Sequence, residues 1–288
     1  MNPAAGGGRT RRLWPRLSEA LARRGFAFEV AETRGPGHAR ILADEAVRAG
    51  VPLVVAVGGD GTLNEVVNGV SPLRESHPAV VGAVMTGRGR DACRNLGLPR
   101  DPARAVERLV DGRVVPRDLA LAVWPGGRRF VVSAVGVGFD ARVVERAGTR
   151  GGRLRYLAAV VACLRDYQAL PVVVDGPAGE SWTGAAASVI VCNGSRLGGG
   201  MRIAPAARVD DGLLDVVVLG ALGRAELALW LPTVFWGGHL ANRQVRSWRA
   251  PVFRVSMVGA PSVQLDGELG AGLPLEISAQ PGALRLRV

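Results

Sequence analysis

Residues Val57–Glu65, with the sequence VGGDGTLNE, carry residue types that suit phosphate chemistry. Gly58, Gly59 and Gly61 remove side chains that would block an anion, and glycine permits the positive φ angles of a tight turn. Such a turn at the start of a helix presents consecutive backbone N–H groups to phosphate oxygens. Asp60 places a carboxylate beside that anion, which predicts a bridging Mg²⁺ or a role in proton transfer.

The segments on both sides of this turn must hold it in place. PLVVAVG before the turn is typical of a buried strand. Apolar residues after the turn repeat with helical spacing at Leu63, Val66, Val67 and Val70. Thr62 and Glu65 have the S/T-x-x-E spacing of a capping box, which predicts a helix that begins near Leu63. The alternative is a packing turn, in which Asp60 accepts amide hydrogen bonds.

Helix and strand signals alternate over residues 1–118, which predicts a doubly wound, mainly parallel α/β domain. The predicted elements, in chain order, are a helix over Arg11–Arg24, a strand FAFEVAE, a helix over Pro36–Ala49, the strand PLVVAVG, a helix from Leu63, a strand AVVGAVM and a helix over Asp101–Val110. Gly25 and Gly50 follow the first two helices, at positions where glycine commonly ends a helix.

Short β-rich runs, separated by glycine, proline and aspartate turns, dominate after Asp118. This pattern predicts an antiparallel β-sandwich. Two helical interruptions are expected, one over Leu154–Gln168 and one within Ala225–Arg243, where Pro232 breaks or kinks the helix. The sequence therefore predicts an N-terminal doubly wound α/β nucleotide-binding domain, residues 1–118, and a C-terminal all-β domain, residues 119–288.

The composition narrows the chemistry that this chain can perform. Its formal net charge is +11, from 36 basic and 25 acidic residues, and every basic residue is arginine. Without lysine, phosphate must be held by backbone amides, a metal or arginine, and a Schiff base is excluded. The arginines are scattered and aromatic residues make up 5% of the chain, which argues against nucleic-acid binding. Attraction to an anionic membrane surface explains the charge at least as well.

The cysteines and the N-terminus indicate the compartment. Cys93, Cys163 and Cys192 lie far apart without zinc-site spacing, as expected of reduced thiols in a cytoplasmic protein. The N-terminus lacks the apolar core of a signal peptide, and no apolar run reaches the roughly 18 residues that span a bilayer. We expect a protein that is soluble or lies on a membrane surface without crossing it.

Several motifs occur in an order shared by lipid kinases. They are NPAAGGG, TRGPGHARILA, GGDGTLNEVVNGV, VGVGFDARV, GGGMRIAPAARVDDGLLDVVV and LDGE. On these motifs, which extend over nearly all of the chain, the sequence resembles the diacylglycerol-kinase-type lipid kinases, which include the sphingosine and ceramide kinases. The resemblance implies an α/β nucleotide-binding domain, a C-terminal β-sandwich and an active site in the cleft between them.

The resemblance also implies roles for residues at matching positions. ATP would contact Asn2, Pro3, Gly6, Thr33, Gly58, Gly59, Asp60, Gly61, Thr62, Leu63, Asn64 and Glu65. Glu268 of LDGE would be the general base that accepts the proton of the substrate hydroxyl, while Asp60 handles the phosphates. Asp211 would bind a structural Mg²⁺ together with main-chain oxygens near Arg208 and Leu213.

These roles have plainer alternatives. In LDGE, Asp-Gly between apolar runs is a strong hairpin signal, and a hairpin is compatible with catalysis because the turn can present Glu268. Asp210 and Asp211 have the composition of a solvated β-turn, and one carboxylate with carbonyl oxygens is a weak Mg²⁺ site. A structural metal is therefore only one of two interpretations of this turn.

Two segments depart from the family pattern. Where the family has a GTxND-type segment, this chain has Gly87-Arg88-Gly89-Arg90-Asp91, so arginine replaces a threonine and an asparagine. Arg88 and Arg90 would bind polyphosphate or an anionic headgroup, fill the pocket and spoil it, or form a solvated loop. The family also has a strand before its Asn-Pro loop, and we expect an upstream start for this chain.

The sequence predicts an ATP- and Mg²⁺-dependent kinase that phosphorylates the hydroxyl of a diacylglycerol-like lipid at the cytoplasmic face of a membrane. Apolar residues of Leu227–Trp236 are candidate lipid contacts, with a helix packed on the sandwich as the alternative. Two other functions stay open: a kinase with a soluble acceptor, such as an NAD kinase, and a lipid- or nucleotide-binding protein that has lost catalysis. The protein could form a homodimer, and the sequence contains no pattern that indicates its oligomeric state.

Overall fold

The structure is a computed structural model that describes residues 1–70, 79–87, 89–148, 153–259 and 261–288. The chain forms two compact units: unit 1 holds residues 1–119 and 281–288, and unit 2 holds residues 120–280. The predicted boundary assigned the whole C-terminus to the second domain, whereas residues 281–288 pack with unit 1. The reason is strand pairing, because Leu286 lies opposite Val81 in a parallel ladder of unit 1.

Unit 1 is an α/β unit, as predicted. Its elements are α1 (Ala5–Arg23), α2 (His38–Arg48), β1 (Leu53–Gly58), α3 (Asp60–Val70), β2 (Val80–Met85), α4 (Asp91–Leu96), α5 (Pro102–Asp111) and the first residues of β3 (Val114–Trp124). β1 and β2 pair in parallel, so that Gly58 and Met85 end the two strands side by side. The core beneath them includes Leu17, Leu21, Val57, Val84 and Leu109.

The predicted helices of unit 1 and the strands β1 and β2 are confirmed, with ends that differ by a few residues. The strand predicted at FAFEVAE, residues 26–32, is not formed. A strand needs a ladder of hydrogen bonds along its length. Here the N-terminus supplies two isolated contacts, because the Met1 ammonium donates to Ala31 O and Thr33 N–H donates to Met1 O.

Unit 2 is an antiparallel β-sandwich with helices packed on it. Its elements are the rest of β3, β4 (Gly127–Val131), β5 (Ala134–Gly138), α6 (Phe139–Ala147), α7 (Arg153–Arg165), β6 (Leu170–Asp175), β7 (Ser181–Cys192), β8 (Leu214–Gly220), α8 (Arg224–Trp230), β9 (Val245–Ala250), β10 (Val252–Met257), β11 (Val263–Leu265), β12 (Glu268–Leu269) and the first residues of β13 (Leu275–Arg287). The strands follow the order β10-β6-β7-β5-β11-β12, and β7 also pairs with β8, which pairs with β9.

Strand β7 shows how the sequence builds two apolar layers in unit 2. Side chains alternate between the faces of a strand. Val189 and Val191 lie in the sandwich core, whereas Ile190 and Cys192 lie in a second core beneath the helices α6, α7 and α8. Continuous apolar runs therefore fold as strands that are buried on both faces.

The two predicted helical interruptions of unit 2 are confirmed as α7 and α8. α8 ends at Trp230, and a 3₁₀ helix over Leu231–Phe235 carries Pro232 in its first turn. Proline lacks the N–H that an α-helix interior needs, which explains the break at this point. Within the described residues, none of the helices combines the length and apolar character that crossing a bilayer requires.

Candidate active site

The glycine turn lies at the carboxyl ends of the parallel strands β1 and β2. Thr86 N–H and Gly87 N–H both donate to Gly58 O, at 2.7 and 3.1 Å. A Cβ atom added to Gly87 would lie 2.7 Å from Gly59 Cα, which is too close for any side chain. The backbones that follow β1 and β2 are therefore in direct contact.

The N-terminal loop joins the same edge of the sheet. Asn2 N–H donates to Val57 O at 2.9 Å, and Asn2 Nδ2 donates to Thr62 Oγ1 at 3.0 Å. Gly6 has a φ of 64°, and a Cβ there would lie 2.9 Å from Thr86 O. Three glycine-bearing segments thus meet where parallel strands end. Backbone N–H groups of a glycine-rich turn at a helix N-terminus can hold phosphate oxygens without lysine. We call this edge the glycine edge: residues 2–8, 58–62 and 86–87.

Asp60 connects the glycine edge to the helix α4. Its Oδ1 accepts the backbone N–H of Ala92 at 3.2 Å, and its Oδ2 lies beside Gly89, where an added Cβ would be 2.7 Å away. Burial raises the pKa of Asp60, the Ala92 N–H opposes that shift, and the nearby Asp91 carboxylate adds to it. The backbone N–H groups of Arg90 and Asp91 also donate to the Asp60 carboxylate, so several amides position it. A carboxylate beside phosphate groups fits the predicted Mg²⁺, since Mg²⁺ in nucleotide sites takes one or two carboxylates plus phosphates.

Glu65 has a structural role, the capping of α2, that the sequence did not indicate. Its Oε1 and Oε2 accept the N–H groups of Gly37 and Ala39, both at 2.9 Å, so Glu65 caps the N-terminus of α2. The predicted capping box with Thr62 is wrong, because α3 already begins at Asp60. A residue that caps a helix 26 positions away along the chain has no local signal.

The other predicted nucleotide contacts differ in their accessibility. The side chains of Leu63 and Asn64 are buried, so they face the interior of unit 1. Pro3 is buried in the N-terminal loop, and Thr33 lies beside Met1 through its backbone N–H. Contact of ATP with these residues stays a prediction.

The GRGRD segment is held by its own arginines. Arg90 Nε donates to Gly87 O at 3.0 Å and its Nη1 donates to Arg100 O at 2.9 Å. Arg94 Nη1 donates to Gly89 O and to Asp91 Oδ1. Arg90 therefore stabilises the loop through carbonyl groups, and its contact with a polyphosphate or an anionic headgroup stays a prediction. Arg88 lies outside the described residues.

Glu268 follows a tight hairpin in unit 2. β11 and β12 pair with Leu265 opposite Glu268, and the two residues between them have φ angles of 51° at Asp266 and 84° at Gly267. These are the angles for which Asp-Gly is favoured in two-residue hairpins, so the predicted hairpin is confirmed. Glu268 is half-buried, with 39% of its side chain exposed, and its Oε2 lies 2.8 Å from Arg129 Nη2. The carboxylate is thus oriented and still accessible.

Two side chains fix this hairpin, the half-buried Asp266 and the buried Gln264. The Asp266 carboxylate accepts the N–H groups of Val132, Ser133 and Ala134 at 2.7 to 3.1 Å. Gln264 Oε1 accepts Gly267 N–H at 2.7 Å. Backbone contacts from both sides of the turn leave Glu268 little freedom to move away from Arg129.

Asp140 positions the Gln264 side chain by accepting a hydrogen bond from it. Gln264 Nε2 donates to Asp140 Oδ2 at 3.1 Å, and Ser188 Oγ donates to Asp140 Oδ1 at 2.5 Å. Burial raises the pKa of Asp140, while these two donors oppose the shift. No local pattern in GFDARV indicates this role for Asp140. Arg129 was not predicted either, because the Arg128-Arg129 pair in β4 has no spacing pattern that points to Glu268.

The predicted structural Mg²⁺ does not fit the ligands proposed for it. Asp211 Oδ1 accepts Leu213 N–H at 3.2 Å, and Asp211 Oδ2 forms an ion pair with Arg249 Nη2. The guanidinium of Arg208 binds Asp210 Oδ1 at 3.0 Å. Both oxygens of Asp211 are thus used, and a guanidinium lies where a cation would bind. Among the residues that the structure describes, no group of three His, Cys, Asp or Glu side chains forms a metal-binding cluster.

Comparison with known families matches both parts of the chain. Residues 1–122 match the family described as the diacylglycerol kinase catalytic domain. Residues 133–288 match the family described as the YegS C-terminal NAD kinase beta sandwich-like domain.

Curated relatives cover most of this sequence. A diacylglycerol kinase from Mycobacterium tuberculosis is 33% identical over 260 residues, which cover 88% of this chain and 82% of the relative. A Pseudomonas aeruginosa protein named "Probable lipid kinase YegS-like" is 32% identical over 269 residues, or 92% of this chain and 85% of the relative.

Solved structures show the same fold at lower identity. A diacylglycerol kinase from Bacillus anthracis superposes with a TM-score of 0.80 at 24% identity, over 99% of this chain and 94% of that protein. An NAD kinase from Archaeoglobus fulgidus, solved in complex with ATP, superposes with a TM-score of 0.51 at 14% identity, over 95% of this chain and 88% of that protein. The fold is thus shared by lipid kinases and NAD kinases.

Proposed function

Because this chain belongs to the diacylglycerol kinase family and is a phosphotransferase of the lipid kinase type, we propose that it transfers the γ-phosphate of ATP to the hydroxyl of a diacylglycerol-like lipid. The reaction takes place at the cytoplasmic face of a membrane. The observation that carries this proposal is Glu268, a carboxylate held in one orientation by a pinned hairpin and Arg129.

Each unit supplies one part of the chemistry. In unit 1, the amides of the glycine edge bind the phosphates of ATP, and Asp60 is the residue that would hold a Mg²⁺ bound to them. When bound, Mg²⁺ neutralises phosphate charge and so favours the transfer. These roles rest on the backbone geometry of the glycine edge and on the Asp60 carboxylate, whose Oδ2 lies beside Gly89.

In unit 2, Glu268 accepts the proton of the lipid hydroxyl as the hydroxyl oxygen attacks the γ-phosphorus. A new P–O bond forms to the lipid, the bond between the γ-phosphorus and the β,γ-bridging oxygen breaks, and ADP leaves. Arg129 and the contacts of Asp266 and Gln264 keep the Glu268 carboxylate in position, which reduces the entropy cost of reaching the reactive geometry.

Membrane contact is supported by an exposed apolar patch on unit 2. Leu229, Phe235 and Trp236 are 74%, 55% and 62% exposed. Leu229 lies in α8, Phe235 ends the 3₁₀ helix that follows, and Trp236 comes directly after it. Leu227 is buried, so for this residue the alternative of a packed helix holds. Aromatic and long apolar side chains of this kind enter the interfacial region of a bilayer.

Positive charge accompanies this apolar patch. Arg224 in α8 is exposed, as are Arg243, which precedes β9, and Arg246, which lies within β9, and the whole chain carries a net charge of +11. Basic residues near a membrane surface are attracted to anionic lipids. The patch residues Leu229, Phe235 and Trp236 are therefore proposed as the membrane contact.

The test is transfer of labelled γ-phosphate from ATP to a lipid extract, to purified diacylglycerol and to NAD in parallel reactions. Labelled product in the organic phase supports the proposal. Labelled product only in the aqueous phase overturns it in favour of a soluble acceptor. ATP binding without transfer overturns it in favour of a binding protein.

A separate experiment tests the membrane contact. Vesicles that contain anionic lipid should sediment the wild-type protein, and the double substitution Phe235→Ser and Trp236→Ser should greatly reduce sedimentation while transfer to a short-chain, water-dispersed diacylglycerol is retained. A matched control is Val258→Ser, which changes an apolar side chain that is 65% exposed and lies outside this patch. Equal sedimentation of the double variant and the control would exclude this patch as the membrane contact.

A further inference from the structure

Two acidic residues and one arginine form a compact ion cluster in unit 2. Asp211 belongs to the turn before β8, Asp215 lies within β8, and Arg249 lies on the neighbouring strand β9. Asp215 and Arg249 are directly opposite each other in the antiparallel ladder. The register of β8 and β9 therefore places the Arg249 guanidinium beside the turn that contains Asp211.

Arg249 bridges the two carboxylates. Its Nη2 pairs with Asp211 Oδ2, and its Nε lies 3.3 Å from Asp215 Oδ2. The rigid fork of a guanidinium directs donors to two acceptors at once, which a lysine ammonium on a flexible stem does less well. The remaining oxygen of Asp211 accepts Leu213 N–H and thereby closes the turn.

The cluster needs a cation at this position. The side chain of Asp215 is only 10% exposed and that of Asp211 is 21% exposed. Burial raises the pKa of Asp215, Arg249 lowers it, and Asp211 raises it. Two carboxylates that share one guanidinium would repel each other strongly in this partly buried setting if the guanidinium were removed.

We propose that Arg249 is a built-in cation that occupies the place of a divalent metal ion beside Asp211, so that the turn before β8 is stabilised without metal. The inference rests on the contacts of Arg249 and does not depend on the proposed lipid kinase activity. It limits the role of Mg²⁺ in this protein to the nucleotide.

The proposal predicts how stability responds to divalent cations. Mg²⁺ demands near-octahedral oxygen ligands, and Asp211 offers no oxygen that is not already bonded. Any ligand that binds the folded state raises the melting temperature. The nucleotide-free, full-length protein should therefore have the same melting temperature in EDTA and in millimolar Mg²⁺.

The experiment compares the wild type with Arg249→Gln and Arg254→Gln by thermal unfolding without nucleotide, in EDTA and in Mg²⁺. Arg254 pairs with Glu276 at 2.7 Å on the exposed surface of β10, so Arg254→Gln is a matched control for the loss of one ion pair. Arg249→Gln should lower the melting temperature in EDTA by several degrees more than the control. Added Mg²⁺ should recover part of that loss, because the substitution leaves two carboxylates with no cation.

Two results would overturn the proposal. One is a wild-type melting temperature that falls in EDTA and recovers in Mg²⁺. The other is Arg249→Gln with the same melting temperature in EDTA as Arg254→Gln. If Arg249→Gln does not fold, Arg249→Lys retains a cation and should fold with a lowered melting temperature that Mg²⁺ leaves unchanged, whereas a rise in Mg²⁺ would contradict the proposal. Electron paramagnetic resonance with Mn²⁺ as the probe checks the wild type directly, and nucleotide-free protein should leave the signal of free Mn²⁺ undiminished.

Discussion

The carboxylate of Asp60 accepts the backbone N–H of Ala92 at 3.2 Å, and this hydrogen bond joins the glycine turn to the start of α4. Gly89, in the segment that departs from the family pattern, lies beside Asp60 Oδ2, and Arg90 and Arg94 donate to the carbonyl oxygens of Gly87 and Gly89. The glycine turn and the unusual segment therefore form one structural element, and a substitution in either one should affect the other.

Asp60→Asn should increase stability at neutral pH and impair transfer. Burial raises the folded-state pKa of Asp60 above that of the unfolded chain, so the ionised carboxylate destabilises unit 1 at pH 7. This penalty shrinks as the pH falls below the folded-state pKa and is absent below the unfolded-state pKa, and the stability gain of the variant should shrink with it. Thermal unfolding across acidic pH checks the first effect, and a fall in turnover of roughly 100-fold checks the second.

Gly87→Ala should destabilise unit 1, because the new Cβ would lie 2.7 Å from Gly59 Cα and neither backbone can move independently. We expect a cost of about 1–3 kcal/mol in denaturant unfolding, as for other overpacked sites. Gly35→Ala is the control, since a Cβ at Gly35 would meet open space. Equal stability of the two variants would contradict the close contact of these loops.

Glu65→Ala should lower stability and leave ATP affinity unchanged, because its two oxygens cap α2 at Gly37 and Ala39. Loss of a helix cap costs about 1 kcal/mol. Glu45→Ala changes an exposed glutamate of the same helix and should be nearly neutral. If calorimetry instead shows a large loss of ATP affinity for Glu65→Ala, Glu65 contacts the nucleotide as the family resemblance implies.

Glu268→Gln should reduce kcat by about 10²- to 10⁴-fold, the contribution typical of a general base, while the Kd for ATP stays the same. The amide keeps the size of the side chain and one acceptor oxygen, so the hairpin at Asp266 should be preserved. Single-turnover transfer and ATP titration measure the two quantities. Turnover close to that of the wild type would remove Glu268 from the mechanism.

Arg129→Ala should lower kcat by about 10- to 100-fold, because it removes a charge-assisted contact that orients Glu268. Arg129→Lys should retain part of the activity, because the lysine ammonium places a cation beside the Glu268 carboxylate. The KM for ATP should not change in either variant, since Arg129 contacts Glu268 and is not among the residues proposed to bind ATP. A rise in the KM for ATP without a change in kcat would count against a positioning role.

Local patterns explain what the sequence predicted well. The buried run of β1, the apolar face of α3 and the Asp-Gly hairpin before Glu268 each depend on neighbours a few residues apart. Such short-range periodicity and turn chemistry can be read from the chain directly. The order of the motifs then identified the kinase family, because the motifs extend over both units.

Tertiary structure decided the partners of the charged residues. Glu65 caps a helix 26 positions away, Asp266 binds amides about 130 positions away, and Arg249 reaches Asp211 from a neighbouring strand. An arginine or a carboxylate looks the same in the sequence whether it binds phosphate, a metal or another side chain. The sequence by itself determined the family and the helices and strands with a strong local pattern, such as β1 and α3. Only the packing of distant segments decided which charges are paired, because pairing depends on distance in space, which sequence periodicity does not encode.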